Sequence, residues 1–490
     1  MTTLYDALLA YGKSDAYPFH MPGHKRQVED FENPFLIDIT EIDGFDNLHH
    51  PEGILKEAQE RAAEVYGSGS TYFLVNGSTC GILSAVSALV RPGGEIGLAR
   101  NCHKASYHAC YLGDLVIHSL YPQWEPVFGI NGGILPEDVE KLLEEYPKTQ
   151  AVLITSPTYD GAVSDVKRIA EICHAHGIPL IVDEAHGAHL GFCPYFPESA
   201  LNLGADVVIQ SFHKTLPSFT QTAVLHVSKS ARVNEDRIRR FLGIYQSSSP
   251  SYIFMAAMDR CVEFLRNEGK ERFEAFAARL ENFYAFARGL ERIRIPGYEI
   301  RGNYGIFDFD RSKILLVPEA HGGEWLAEEL RKKDHLELEM AAGGYGLALT
   351  SVMDMEEGFE RLKKALERID GELADEETAC VGRVGAGVES ALDRRSRSAG
   401  YDGVLHNEIV VSLRDAYDGE KETLPLKESE GRISGEFLYL YPPGIPLLMP
   451  GERISRDVLE RVAFFQGEGL SIQGLRDYRA EYIDVLKRNR

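Results

Sequence analysis

The chain has 490 residues, 44% of them hydrophobic, enough to bury the cores of two or three domains and too many for a single small binding module. Acidic residues outnumber basic ones by 75 to 52, and the formal charge of −23 repels nucleic acid and anionic membranes at long range while attracting a small cationic ligand, although solubility alone accounts for many acidic chains. The seven cysteines are odd in number and never spaced Cys-x-x-Cys, which argues against a disulfide framework or a cysteine zinc site and fits a reducing cytoplasm.

Residues Met1 to Lys13 hold one short apolar patch, and nowhere do eighteen apolar residues run together, so neither a signal peptide nor a membrane span is expected. Asn76-Gly77-Ser78-Thr79 reads as a loop opening onto a helix of small apolar residues from Cys80 to Val90, ended by Arg91-Pro92-Gly93-Gly94. Between about Gly67 and Val227, short apolar runs alternate with helical patterns, which predicts an α/β fold with a doubly wound, mostly parallel sheet. Three β-branched runs, 151–155, 178–182 and 205–209, read as buried strands. They give way to Ser156-Pro157-Thr158, Asp183-Glu184-Ala185-His186 and Gln210-Ser211-Phe212-His213-Lys214, and ligands collect at that end of an open parallel sheet. A helix from about Asp165 to His176, stopped by Gly177, joins the first two.

Beyond Asn234 the chain turns helix-rich, with apolar residues at helical spacing from Glu263 to Leu290, and a mixed region from Ile293 to Ile369 predicts a smaller α/β unit. Gly371 to Gly400 is polar and reads as a linker, after which Phe437 to Tyr441 forms a strand running into the rigid turn Pro442 to Pro446. The expected division is an N-terminal arm (1–50), a major domain (51–290), a small α/β domain (291–370), a linker (371–400) and a C-terminal α+β domain (401–490).

Three features carry chemistry. Asp183 ends a buried strand and suits the task of keeping a pyridine nitrogen protonated, which turns a pyridoxal ring into an electron sink. Lys214, delivered by the next strand to the same edge behind Ser211 and His213, suits a Schiff-base lysine flanked by phosphate donors. Ser78 and Thr79 lie where a helix N-terminus offers free N–H groups to an anion. Taken singly, Asp183 reads as a loop carboxylate, Lys214 as a surface charge and the Ser-Thr pair as ordinary capping; together they define a site for pyridoxal 5'-phosphate.

His20-Met21-Pro22-Gly23-His24-Lys25, Asn76 to Thr79, Arg100-Asn101-Cys102-His103-Lys104, Pro157 to Gly161, Asp183 to Ala188, Ser211 to Lys214, Ser247 to Tyr252, Tyr441 to Pro446 and Pro450-Gly451-Glu452 together resemble the Orn/Lys/Arg decarboxylases, in particular their shorter Gram-positive-type members. The resemblance spans nearly the whole chain and implies a fold-type I pyridoxal-phosphate architecture, like that of aspartate aminotransferase, and decarboxylation of a basic amino acid, with arginine to agmatine preferred and lysine or ornithine as alternatives, in the polyamine pathway. It further implies that Lys214 is the Schiff-base lysine, that Asp183 partners the ring nitrogen, and that His103 stacks on the ring. Ser78, Thr79, Ser211 and His213 then hold the phosphate, and His186 and Thr158 sit within reach of the phenolic oxygen. Ser247 to Ser249 are implied to approach a neighbouring subunit's site, making a homodimer the minimum functional unit. The family's larger members carry an extra N-terminal flavodoxin-like domain, for which no room is expected ahead of His20, so their high-order assembly is not expected either.

Other readings share parts of this set. An aminotransferase or aldolase also needs Lys214 and Asp183, and the motifs beyond residue 400 weigh against both. Asp183-x-x-His186-x-x-His189 offers three ligands for a metallohydrolase, but begins at a strand end rather than on one helical face. A catalytically silent homologue has no need of the intact set. For reading the far end of the substrate, Glu452 and the acidic stretch at Glu337 and Glu339 are the candidates.

Overall fold

Seven apolar stretches build the large sheet: β1 (Ser70–Leu74), β2 (Glu95–Ala99), β3 (Val116–Leu120), β4 (Thr149–Thr155), β5 (Leu180–Asp183), β6 (Val207–Ser211) and β7 (Ala223–Val227). The structure is a computed structural model that describes residues 3–28, 31, 33–319, 321–381, 403–440, 445–467 and 471–488. The strand order is β1-β7-β6-β5-β4-β2-β3, with every pair parallel except those made by β7. The mostly parallel sheet expected from the alternating pattern is therefore present. Strands β4 to β7 are almost wholly buried, as strands covered on both faces must be. β5 starts two residues later than its apolar run because Pro179 has no N–H to give to the ladder.

Several local expectations shift. The helix at Ser78 runs from Gly77 to Leu89, so Ser78 and Thr79 stand in its first turn rather than in a loop ahead of it. Gly77, at φ +69°, lets the chain turn into the helix there, in a backbone conformation that costs glycine little. The helical stretch from Glu263 to Leu290 is two helices, Tyr252–Asn267 and Gly269–Ala287, because Glu268 leaves helical geometry between them. The polar segment expected to be a linker from Gly371 begins instead as the end of the helix Glu356–Val381, whose buried Leu366, Ile369 and Leu373 continue one apolar stripe. The rest of that linker, 382–400, and the Tyr441 to Gly444 part of the rigid turn lie outside the described residues.

A four-stranded antiparallel sheet, in the order Ile293–Arg294, Lys313–Pro318, Tyr345–Leu349, Met340–Ala342, forms the smaller unit, and helix Gly323–Asp334 packs on it. The short strand Tyr17–Phe19 runs parallel to Leu336–Leu338 and ties the N-terminal segment to this unit. Towards the C-terminus, Lys421–Pro425 pairs with Tyr482–Leu486, and Leu438–Leu440 lies between Ile445–Leu448 and Ile472–Gln473. These strands share a separate core of Leu438, Leu448, Ile454, Val458, Ile483 and Val485. Among the described residues, no helix is long and apolar enough to cross a membrane.

Candidate active site

The C-terminal ends of β2, β4, β5 and β6 lie side by side and deliver His103, Thr158, Asp183 with His186, and Ser211 with Lys214. Lys214 sits on the single helical turn Phe212–Thr215, and its Nζ is 2.9 Å from His186 Nε2. Burial lowers the amine's affinity for a proton, while the carboxylates of Asp183 and Glu339 act the other way. Burial pushes the Asp183 carboxyl up against the pull of Lys214, and Oδ1 accepts the Ala185 N–H at 3.1 Å. A buried carboxylate in this state favours a cation beside it.

The imidazoles are neutral. Burial holds His103 at about 3 and His213 at about 4, and His186 is driven well below its ordinary value. His103 caps the helix Lys104–Gly113, its Nδ1 accepting the Ala105 N–H at 3.2 Å, so its own proton sits on Nε2. His213 Nδ1 donates to Thr222 O at 2.9 Å. His186 Nδ1 is buried without a hydrogen-bond partner among the described residues, and its ring lies 4.7 Å from that of Tyr159.

Ser78 and Ser211, 133 positions apart, meet with their hydroxyls at 2.5 Å at the start of helix Gly77–Leu89, a donor set suited to a phosphate ester. Thr79, next to Ser78 in sequence, is exposed. Thr158 is buried, and its Oγ1 accepts the Ala162 N–H at 3.0 Å, which leaves its own O–H free to donate elsewhere. A buried carboxylate, a lysine amine, an orphaned imidazole nitrogen and paired hydroxyls at a helix N-terminus fit the groups of pyridoxal phosphate.

The acidic residues named for substrate reading separate sharply. Glu452 is 1% exposed and holds the 3%-exposed Arg100 at 3.2 Å, with Asn407 Nδ2 and the Met449 N–H also donating to it, so it is a structural anchor and not a reader. Glu337 pairs with Arg331 at 2.9 Å on the surface. Glu339 alone faces the site: Oε1 accepts from Tyr159 at 2.5 Å and Oε2 from the Met21 N–H at 2.7 Å. Sequence reading passed over Tyr159, although it stands inside the Pro157 to Gly161 motif. The metallohydrolase triplet does not converge, since His189 turns to Asp310 at 3.2 Å and Ser312 at 3.4 Å. Among the described residues no group of three or more His, Cys, Asp or Glu is arranged to hold a metal ion.

Comparison with known proteins agrees with this arrangement. The family model for the Orn/Lys/Arg decarboxylase major domain matches residues 2–294, and that for the C-terminal domain of the same enzymes matches residues 407–470. The arginine decarboxylase of Halalkalibacterium halodurans is 32% identical over 99% of this chain and 98% of its own, and that of Bacillus subtilis is 31% identical over 99% and 98%. The structure of the Escherichia coli constitutive lysine decarboxylase superposes with a TM-score of 0.75 at 20% identity, covering 99% of this chain and 81% of that one. The chain belongs to the Orn/Lys/Arg decarboxylase family. It is a decarboxylase, a carboxy-lyase, and the family implies pyridoxal phosphate as cofactor.

Proposed function

We propose that the chain converts L-arginine to agmatine and carbon dioxide with pyridoxal 5'-phosphate, a step of polyamine synthesis, as a cytoplasmic homodimer. The observation that carries this reading is the meeting of Lys214, His186 and Asp183 at one edge of the sheet; full-length similarity to relatives named arginine decarboxylase favours arginine. Exposed apolar side chains on helix Leu4–Gly12, and at Phe35 and Leu36, support an assembly of at least two copies. Ser247 to Ser249 are exposed and stand ready for a neighbour.

When bound, pyridoxal phosphate supplies a ring that takes up the electron pair left at Cα as carbon dioxide departs. Lys214 is the residue that would join to it, and burial lowers its affinity for a proton, the direction that favours a nucleophilic amine. Asp183 holds a proton on the ring nitrogen by charge. Neutral His103 covers one ring face without adding a positive charge. Ser78, Thr79 and Ser211 donate to the phosphate. His213 joins them only as an imidazolium, because its neutral form already spends its one N–H on Thr222 O, and a nearby dianion raises its proton affinity. His186 and Thr158 would serve the phenolic side, and Lys214 or a nearby acid would return the proton to Cα. Incubating purified protein and cofactor with arginine, lysine and ornithine separately, and identifying each amine released, tests the reading; cadaverine or putrescine as the dominant product overturns the arginine assignment.

Glu339 receives the far end of the substrate in this reading. A carboxylate offers about four acceptor positions, of which Tyr159 and Met21 use two, leaving room for a guanidinium fork. Glu339→Gln is expected to raise KM for arginine roughly tenfold or more, the loss of a charge-assisted hydrogen bond of about 1.5–3 kcal/mol, with a smaller change in kcat. An unaltered KM removes Glu339 from this role.

A further inference from the structure

Apart from the Met21 N–H on Glu339, the motif His20 to Lys25 has no part in the chemistry above, yet it touches three parts of the site at once. Gly23 N–H donates to His213 O at 2.7 Å, on the helical turn that bears Lys214. Gly23 O accepts the Ser351 hydroxyl at 2.6 Å, from just beyond the last strand of the smaller sheet. The contact is so close that a Cβ on Gly23 would stand 2.8 Å from Leu216 N and from the Thr215 carbonyl carbon, both backbone atoms. Two residues earlier in the chain, the Met21 N–H holds Glu339.

Lys25 fixes the segment in place. Its buried ammonium donates to three carbonyls, Pro18 O and His20 O at 2.9 Å and Leu349 O at 2.8 Å, and Asp354 lies at 3.8 Å. Tyr17 OH donates to the same Asp354 carboxylate at 2.9 Å. Lys25 and Arg26 both adopt left-handed backbone, at φ 49° and 61°, a conformation that non-glycine residues keep only where their surroundings dictate it. A lysine with all three ammonium protons given to main-chain carbonyls is a fastener and takes no part in surface solvation.

We propose that His20 to Lys25 is a positioning clamp for the reactive lysine: Gly23 seats the Lys214 turn, Lys25 locks the segment to the smaller sheet, and the same stretch sets Glu339 relative to Lys214. The proposal rests on the reading of Lys214 as the cofactor lysine. Gly23 and Lys25 touch no reacting atom; they act through the turn they hold.

Gly23→Ala tests the clamp in the full-length protein. The cofactor band should persist, while its absorbance titrates at a pH displaced by about half a unit or more, reflecting a changed setting of Lys214 relative to its neighbours. The value of kcat should fall roughly tenfold to a hundredfold with KM much less affected, as misplacement on the order of 1 Å produces. In the cofactor-free protein, the amides of 211–217 should exchange with deuterium faster than in the wild type, a readout independent of turnover. An unshifted titration with unaltered exchange, or a loss confined to thermal stability, overturns the clamp. If Gly23→Ala does not accumulate as folded protein, Ser351→Ala removes the hydroxyl that donates to Gly23 O and accepts the Met353 N–H, and should shift titration and exchange in the same direction by a smaller factor; no shift there overturns it equally. Lys214→Ala keeps the two ideas apart, because a cofactor band surviving in that variant refutes the lysine assignment, whereas a blank spectrum there beside a normal Gly23→Ala refutes the clamp alone.

Discussion

Asp183→Asn protein is expected to load pyridoxal phosphate and yet turn over roughly a thousandfold more slowly, a loss of about 4 kcal/mol of transition-state stabilisation. The amide matches the carboxylate in size, and its oxygen keeps the Ala185 N–H, so the strand end should not move. What disappears is the charge. In a site this dry, the role proposed for the carboxylate is to make a proton on the ring nitrogen stable, and without it the ring would be a poorer acceptor for the electron pair at Cα. The effect belongs in kcat and not in loading, since Lys214 and the phosphate donors are untouched. Absorbance of the loaded protein together with single-turnover release of carbon dioxide measures both halves, and near-normal turnover refutes the role given to Asp183.

Replacing Glu452 with alanine should cost about 3–5 kcal/mol of stability, because it strands the Arg100 guanidinium in a buried site. Arg100 also donates to Pro446 O at 2.7 Å, so the pair stitches the end of β2 to the C-terminal unit. His103 stands three residues after Arg100, and loosening this joint should also lower activity. Replacing both partners together, Arg100→Met with Glu452→Leu, should be milder than Glu452→Ala, since no unpaired charge remains. Urea midpoints of the two variants check this; a Glu452→Ala protein as stable as the wild type would show that the pair does not hold the joint.

The strands that deliver Asp183 and Lys214 were legible because β-branched apolar runs ending in polar residues are a local signal; Asp183 is such a polar end, and Lys214 follows three residues after Ser211 on the next helical turn. Glu452 and Glu339 were not separable in the same way. Arg100 lies 352 positions from Glu452, and nothing in the neighbourhood of either residue announces the other. Glu339 is marked as different from Glu337 only by two partners, Tyr159 and Met21, that come from distant segments. The stretch after Gly371 was read as a linker from its polarity, yet Glu-Leu-Ala-Asp-Glu-Glu is a good helix-forming sequence, and the buried Leu373 extends a stripe begun at Leu366. Ser78 entered the helix one turn early because a glycine's backbone, and not the capping preference of its neighbours, decides where that helix starts.

The place of β1 in the sheet bears on how the protein is made. β1 is an edge strand whose one neighbour is β7, which ends at Val227, so an apolar segment complete by Leu74 has no partner until some 150 further residues exist. At about 5–20 residues per second of synthesis, the wait is on the order of ten seconds. Through that interval, Phe73 and Leu74, both fully buried in the finished fold, have only the neighbouring helices Ile54–Tyr66 and Gly77–Leu89 to pack against, and the edge of β1 has no strand beside it. The backbone hydrogen bonds of β1 therefore form last among those of the large sheet, when β7 arrives to close it.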